Sequence, residues 1–78
     1  MGMKLPLLDS RTAIKILELK GFKIIEQSGS HVQFKSGKGA IITVPVHPGR
    51  DIGRGLTRKI IRDLEVSREE FIDLIKSV

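Results

Sequence analysis

Residues 22–45 read FKIIEQSGSHVQFKSGKGAIITVP, and their punctuation decides the fold. Glycines divide the stretch into three short runs rich in β-branched and aromatic residues. The middle run, residues 31–35, alternates cleanly: Val32 and Phe34 point one way, His31, Gln33 and Lys35 the other. The first, residues 22–27, sets Phe22 and Ile24 against Lys23 until Ile25 breaks the pattern. Gly29-Ser30 turns the chain back, and Ser36-Gly37-Lys38-Gly39 turns it again. The third run, residues 40–44, stops at Pro45, which has no N–H for a central ladder. Three strands joined by tight turns predict an antiparallel meander.

Helical spacing lies on both sides. Upstream, Asp9 or Ser10 can cap a helix over about residues 10–20 whose apolar positions are Ala13, Ile14, Ile16 and Leu17. Gly21 suits the left-handed position that ends it, with Phe22 folding back on Leu17. Downstream, two prolines and three glycines make residues 45–55 a loop. Leu56, Ile60, Ile61 and Leu64 then occupy one face of a second helix, about 160° to 300° around its axis. Arg54, Arg58, Lys59 and Arg62 take the opposite face, and Thr57 falls near the edge of the apolar stripe. Ser67-Arg68-Glu69-Glu70 has capping-box spacing and opens a short terminal helix carrying Phe71, Ile72 and Ile75. The expected architecture is α+β. A three-stranded antiparallel sheet carries two helices on one face, in the order α-β-β-β-α, plus the short C-terminal helix, as a single domain over residues 1–78.

Composition narrows the function. The chain has 78 residues, 40% of them hydrophobic, and no cysteine, which removes disulfides and thiolate chemistry. No apolar run is long enough to span a membrane, residues 1–4 lack a secretory core, and a cytoplasmic location is expected. The net charge is +5 and unevenly spread: residues 50–62 hold five cations and one carboxylate, residues 63–78 two cations and five carboxylates. A basic body with an acidic tail fits an anionic partner such as nucleic acid, although +5 also suits ordinary solubility. His31 and His47, sixteen positions apart with no cysteine, do not make a metal site. Residues 49–55 are not a Walker loop, since no Gly-Lys-Ser/Thr follows. Phe22, Phe34 and Phe71 fit core stripes, which argues against a base-stacking platform.

His31 therefore stands out, on the solvated side of the second strand. A lone surface histidine needs no role. An imidazole also titrates near ~6.5 and can move protons at neutral pH, and RNA carries its own nucleophile, the 2′-OH.

The chain resembles the HicA toxin family, the small mRNA interferases of toxin–antitoxin systems. The resemblance rests on Gly21-Phe22, Gly29-Ser30-His31-Val32, Thr43-Val44-Pro45-Val46-His47, Gly55-Leu56-Thr57-Arg58-Lys59-Ile60-Ile61-Arg62 and Ser67-Arg68-Glu69-Glu70-Phe71. It implies a double-stranded-RNA-binding-like fold, ribosome-independent RNA cleavage and a silencing HicB-like antitoxin. With no metal site in the sequence, the cleavage is expected to be metal-free and cofactor-free, with His31 as general base or acid for 2′-OH attack. The resemblance also turns the basic residues toward mRNA: Lys35 and Lys38, expected beside His31, with Arg54, Arg58, Lys59 and Arg62. His47 is expected to fix the turn before Pro48. Where the family often has Gly-Thr-Leu and a glycine ending the second helix, this chain has Gly55-Leu56-Thr57 and Glu65. The alternative is a non-catalytic RNA-binding module of the same fold, which has no need of His31. A protein-interaction domain whose charge matches an acidic partner is the third reading.

Overall fold

In the computed structural model, which describes residues 5–78, the first helix begins on its cap. Asp9 has extended backbone and its Oδ1 accepts the Thr12 N–H at 2.8 Å, satisfying one of the orphan donors of α1 (Ser10–Leu19). Hydrogen bonding from the Thr12 side chain, with its N–H second, holds the Asp9 carboxyl below the usual carboxylate range, so the cap weakens as acid protonates it. At the other end Gly21 takes φ +89. Its N–H reaches Glu18 O at 3.0 Å, and the Phe22 N–H reaches Leu17 O at 2.9 Å, the paired bonds of a Schellman ending. Phe22 is thus spent on the helix ending, and β1 starts one residue later than expected.

The sheet is a meander in the order β1 (Lys23–Ser28), β2 (His31–Lys35), β3 (Ile41–Pro45), antiparallel throughout. Ala40 closes the second turn with Ser36 instead of joining β3. The break at Ile25 is a bulge: the register shifts between Ile24, opposite Phe34, and Glu26, opposite Gln33. All six residues of β1 stay exposed, as on an uncovered edge, and Ile24 remains 48% accessible despite its place in the alternation.

Val32, Phe34, Ile42 and Val44 fill the covered face of the sheet and pack with Ala13, Ile16 and Leu17 of α1. Ile60 and Leu64 of α2 (Arg54–Leu64) and Phe71 of α3 (Arg68–Ser77) complete the same cluster. The helices therefore share one face, and the fold is the expected double-stranded-RNA-binding-like α+β arrangement. The other face carries His31, Gln33, Lys35, Ile41 and Thr43. The expected position of Thr57 is corrected. It is 1% exposed at the centre of the buried stripe, and its Oγ1 donates to Gly53 O at 2.8 Å, which makes its burial affordable. Residues 1–4, where no secretory core was found, lie outside the described residues. No helix among the described residues is long and apolar enough to cross a membrane.

Glu65 ends α2 in the left-handed region, at φ 58. A side chain there costs about 1–2 kcal/mol relative to a relaxed backbone, and glycine removes that cost. The ion pair Glu65 makes with Lys38 is solvent-exposed and contributes little. Glu65→Gly is expected to stabilise the protein by about 0.5–1 kcal/mol in urea unfolding; an unchanged or lower midpoint contradicts this account.

Candidate active site on the open face of the sheet

His31 is held by three strands. It opens β2 opposite Ser28 of β1 and Pro45 of β3. The two-residue Gly29-Ser30 turn precedes it, with Gly29 at φ 56, and the Ser30 carbonyl accepts the Val46 N–H just past β3. Because Val32 and Phe34 take the covered side, the His31 side chain stands on the open one. It lines a shallow depression of about 130 Å³ with Glu26, Ser28, Gln33 and Thr43. Its ring makes no hydrogen bond or ion pair among the described residues, so both nitrogens are available to a ligand.

The expected cations distribute differently around it. Lys35 shares the open face but sits four residues along the strand, about 13 Å away at ~3.3 Å per residue. Lys38 lies in the turn beyond Lys35 and ion-pairs with Glu65 at the end of α2. Neither is beside His31, which corrects that expectation: β2 runs away from the histidine toward both.

On α2, Arg54 and Arg58 are exposed and make no ion pair or hydrogen bond among the described residues. Lys59 pairs with Asp63 at 2.7 Å and Arg62 approaches the same carboxylate at 3.5 Å. The Lys59 hydrogen bond holds Asp63 below the usual carboxylate range. With Thr57, Ile60 and Leu64 turned to the core, this basic stripe looks away from the open sheet face. Only its start, Arg54, shares the histidine's end of the molecule. The N-terminus of α1 lies at that end too, since Asp9 bridges to Asp51 in the loop before α2.

Two cations at that end went unnoticed in the sequence: Arg11, in the first turn of α1, and Arg50, whose N–H donates to His47 O at 3.1 Å. The Pro-Gly-Arg-Asp run hid Arg50 as turn chemistry. The His47 ring itself makes no hydrogen bond among the described residues, so its carbonyl, not its imidazole, holds the turn. No group of three or more His, Asp or Glu side chains gathers among the described residues in a way that could hold a metal ion.

A family model described as HicA toxin of bacterial toxin–antitoxin matches residues 10–66, from the first residue of α1 to two residues past α2. The chain belongs to the HicA toxin family. It is therefore the toxin member of a toxin–antitoxin pair, and a cognate antitoxin is its partner. The HicA match spans His31, the open face and the basic stripe, and leaves α3 outside. No curated protein matches the chain.

Proposed function

We propose that this HicA toxin is an mRNA interferase, a ribosome-independent and metal-independent RNA endonuclease built on one domain, with His31 in acid–base catalysis. The observation that supports it most is the exposed, unpartnered imidazole fixed by strand pairing at one end of the open face. RNA bound there presents a 2′-OH beside its own phosphodiester, so cleavage needs proton transfer and charge stabilisation. Lys35 meets a phosphate further along the open face. Arg54, Arg58, Lys59 and Arg62 meet the strand after it passes over the end of the molecule, and Lys38 lies at the far turn. The test is incubation of the purified protein with a labelled transcript in EDTA. Fragments ending in 2′,3′-cyclic phosphate and 5′-OH are expected, whereas bound but intact RNA would favour the non-catalytic module.

Binding is expected to weaken with salt, with a log–log slope near −3 for four or five neutralised phosphates at ~0.7 each. Reversing Arg54 and Arg58 to Glu removes the two cations of the stripe that no carboxylate neutralises, and flattens that slope by about 1.4. An unchanged slope would move the RNA surface elsewhere.

The antitoxin is proposed to be HicB-like and to cover His31 and Lys35 with acidic groups, so that it and RNA bind exclusively. A ternary complex in a gel-shift titration contradicts simple occlusion. Action on mRNA places the toxin in the cytoplasm.

A further inference from the structure

Cleavage by 2′-OH attack moves two protons at opposite sides of the phosphorus. One leaves the attacking oxygen and the other arrives at the departing 5′ oxygen. One imidazole in one place serves a single side of that line well. The depression around His31 contains a second group able to take a proton. Of Glu26, Ser28, Gln33 and Thr43, only Glu26 is a base at neutral pH. We propose that Glu26 is the general base of this site and His31 its general acid, an inference that rests on the RNA-cleavage reading above.

The bulge in β1 supports it. Lys23 lies opposite Lys35 on the open face, and strict alternation from Lys23 would aim Ile25 outward and Glu26 at the covered face. The extra residue at Ile25 reverses the alternation and carries Glu26 and Ser28 to the side of His31. Ser28 is directly opposite His31 and Glu26 opposite Gln33, so Glu26 is the diagonal neighbour of His31, at about 7–8 Å in such ladders. Side chains rising from backbones at that spacing can take a phosphodiester between them. They form no ion pair with each other, so each is open to substrate. Among the described residues of the sheet, the other charged groups on this face are Lys23 and Lys35, at its far end, and β3 contributes only Ile41, Thr43 and Pro45.

In the step itself, the Glu26 carboxylate takes the 2′-OH proton and the 2′ oxygen forms a bond to phosphorus. The bond from phosphorus to the 5′ oxygen breaks with its electron pair, and that oxygen takes the proton of the His31 imidazolium. The products are a 2′,3′-cyclic phosphate and a 5′-OH. Glu26 is left protonated and His31 neutral, and exchange with water restores both.

The test is kcat and KM of the full chain on a labelled oligoribonucleotide across the acid and neutral range. The wild type is expected to give a bell, its acidic limb from loss of the carboxylate base and its alkaline limb from loss of the imidazolium acid. Glu26→Gln is expected to lower kcat at least ~100-fold with little change in KM and to abolish the acidic limb. Glu26→Asp, a shorter carboxylate, is expected to keep the limb at reduced kcat, and circular dichroism checks that both variants fold. Wild-type kcat in Glu26→Gln, or a lowered kcat with the acidic limb intact, overturns the role of Glu26. If His31→Ala is inactive in the same assay, RNA cleavage still stands. Intact RNA with the wild type would remove the cleavage reading itself, and this inference with it.

Discussion

His31→Ala is expected to lower RNA cleavage at least ~100-fold and to abolish growth arrest on expression, while changing stability by less than ~1 kcal/mol. The two effects separate because of where the residue stands. Its backbone belongs to the β1–β2–β3 ladder and survives the change, whereas its ring is exposed and bonds to nothing among the described residues. The ring is not among the cations proposed to hold phosphates, so RNA affinity should stay near the wild-type value. His47→Ala makes the control: that ring fixes no turn, and cleavage should persist. A folded His31→Ala protein that cuts at the wild-type rate would refute the catalytic assignment and favour an RNA-binding module.

The largest stability effect is expected at Phe71→Ala, a loss of about 3–5 kcal/mol. Phe71 is fully buried, in the same cluster as Phe34, Leu17 and Ile60, although its helix lies outside the segment that matches the family. Ser67 holds that helix in place through a reciprocal cap, its side chain accepting from the Glu70 N–H while Glu70 accepts from the Ser67 N–H. Small domains commonly have only about 5 kcal/mol of stability, so the truncation should leave a margin of at most about 2 kcal/mol. Urea titration reads this directly. A loss under ~1 kcal/mol would mean that α3 is an appendage and that the core closes without it.

The sheet was legible because its punctuation is local. Gly29-Ser30 and Gly37-Lys38-Gly39 mark turns by their own backbone freedom, and Val32 and Phe34 declare their face by alternation. Ile25 showed that the alternation fails but not what repairs it. A bulge is defined by its partner strand, and only the register opposite Gln33 reveals that Glu26 has crossed to the side of His31. The order Leu56-Thr57 sets Thr57 near the edge of the apolar stripe, and only the fold shows Gly53 O satisfying its hydroxyl in a buried position. The neighbours of His31 were misjudged for a related reason. Closeness in sequence put Lys35 and Lys38 beside it, while strand direction carries both to the opposite end and chain reversal brings Arg11 and Arg50 to its own.

The arginine stripe of α2 looks away from the open face, and the shortest extent of the molecule is about 21 Å. A polymer that touches His31 and those arginines together must double back over one end of the protein within that span. Duplex DNA, with a persistence length of ~150 bp, resists so tight a reversal. An unpaired strand makes it freely. Bending rigidity would then serve as the filter on what is cut, sorting slack polymer from stiff before any base is read.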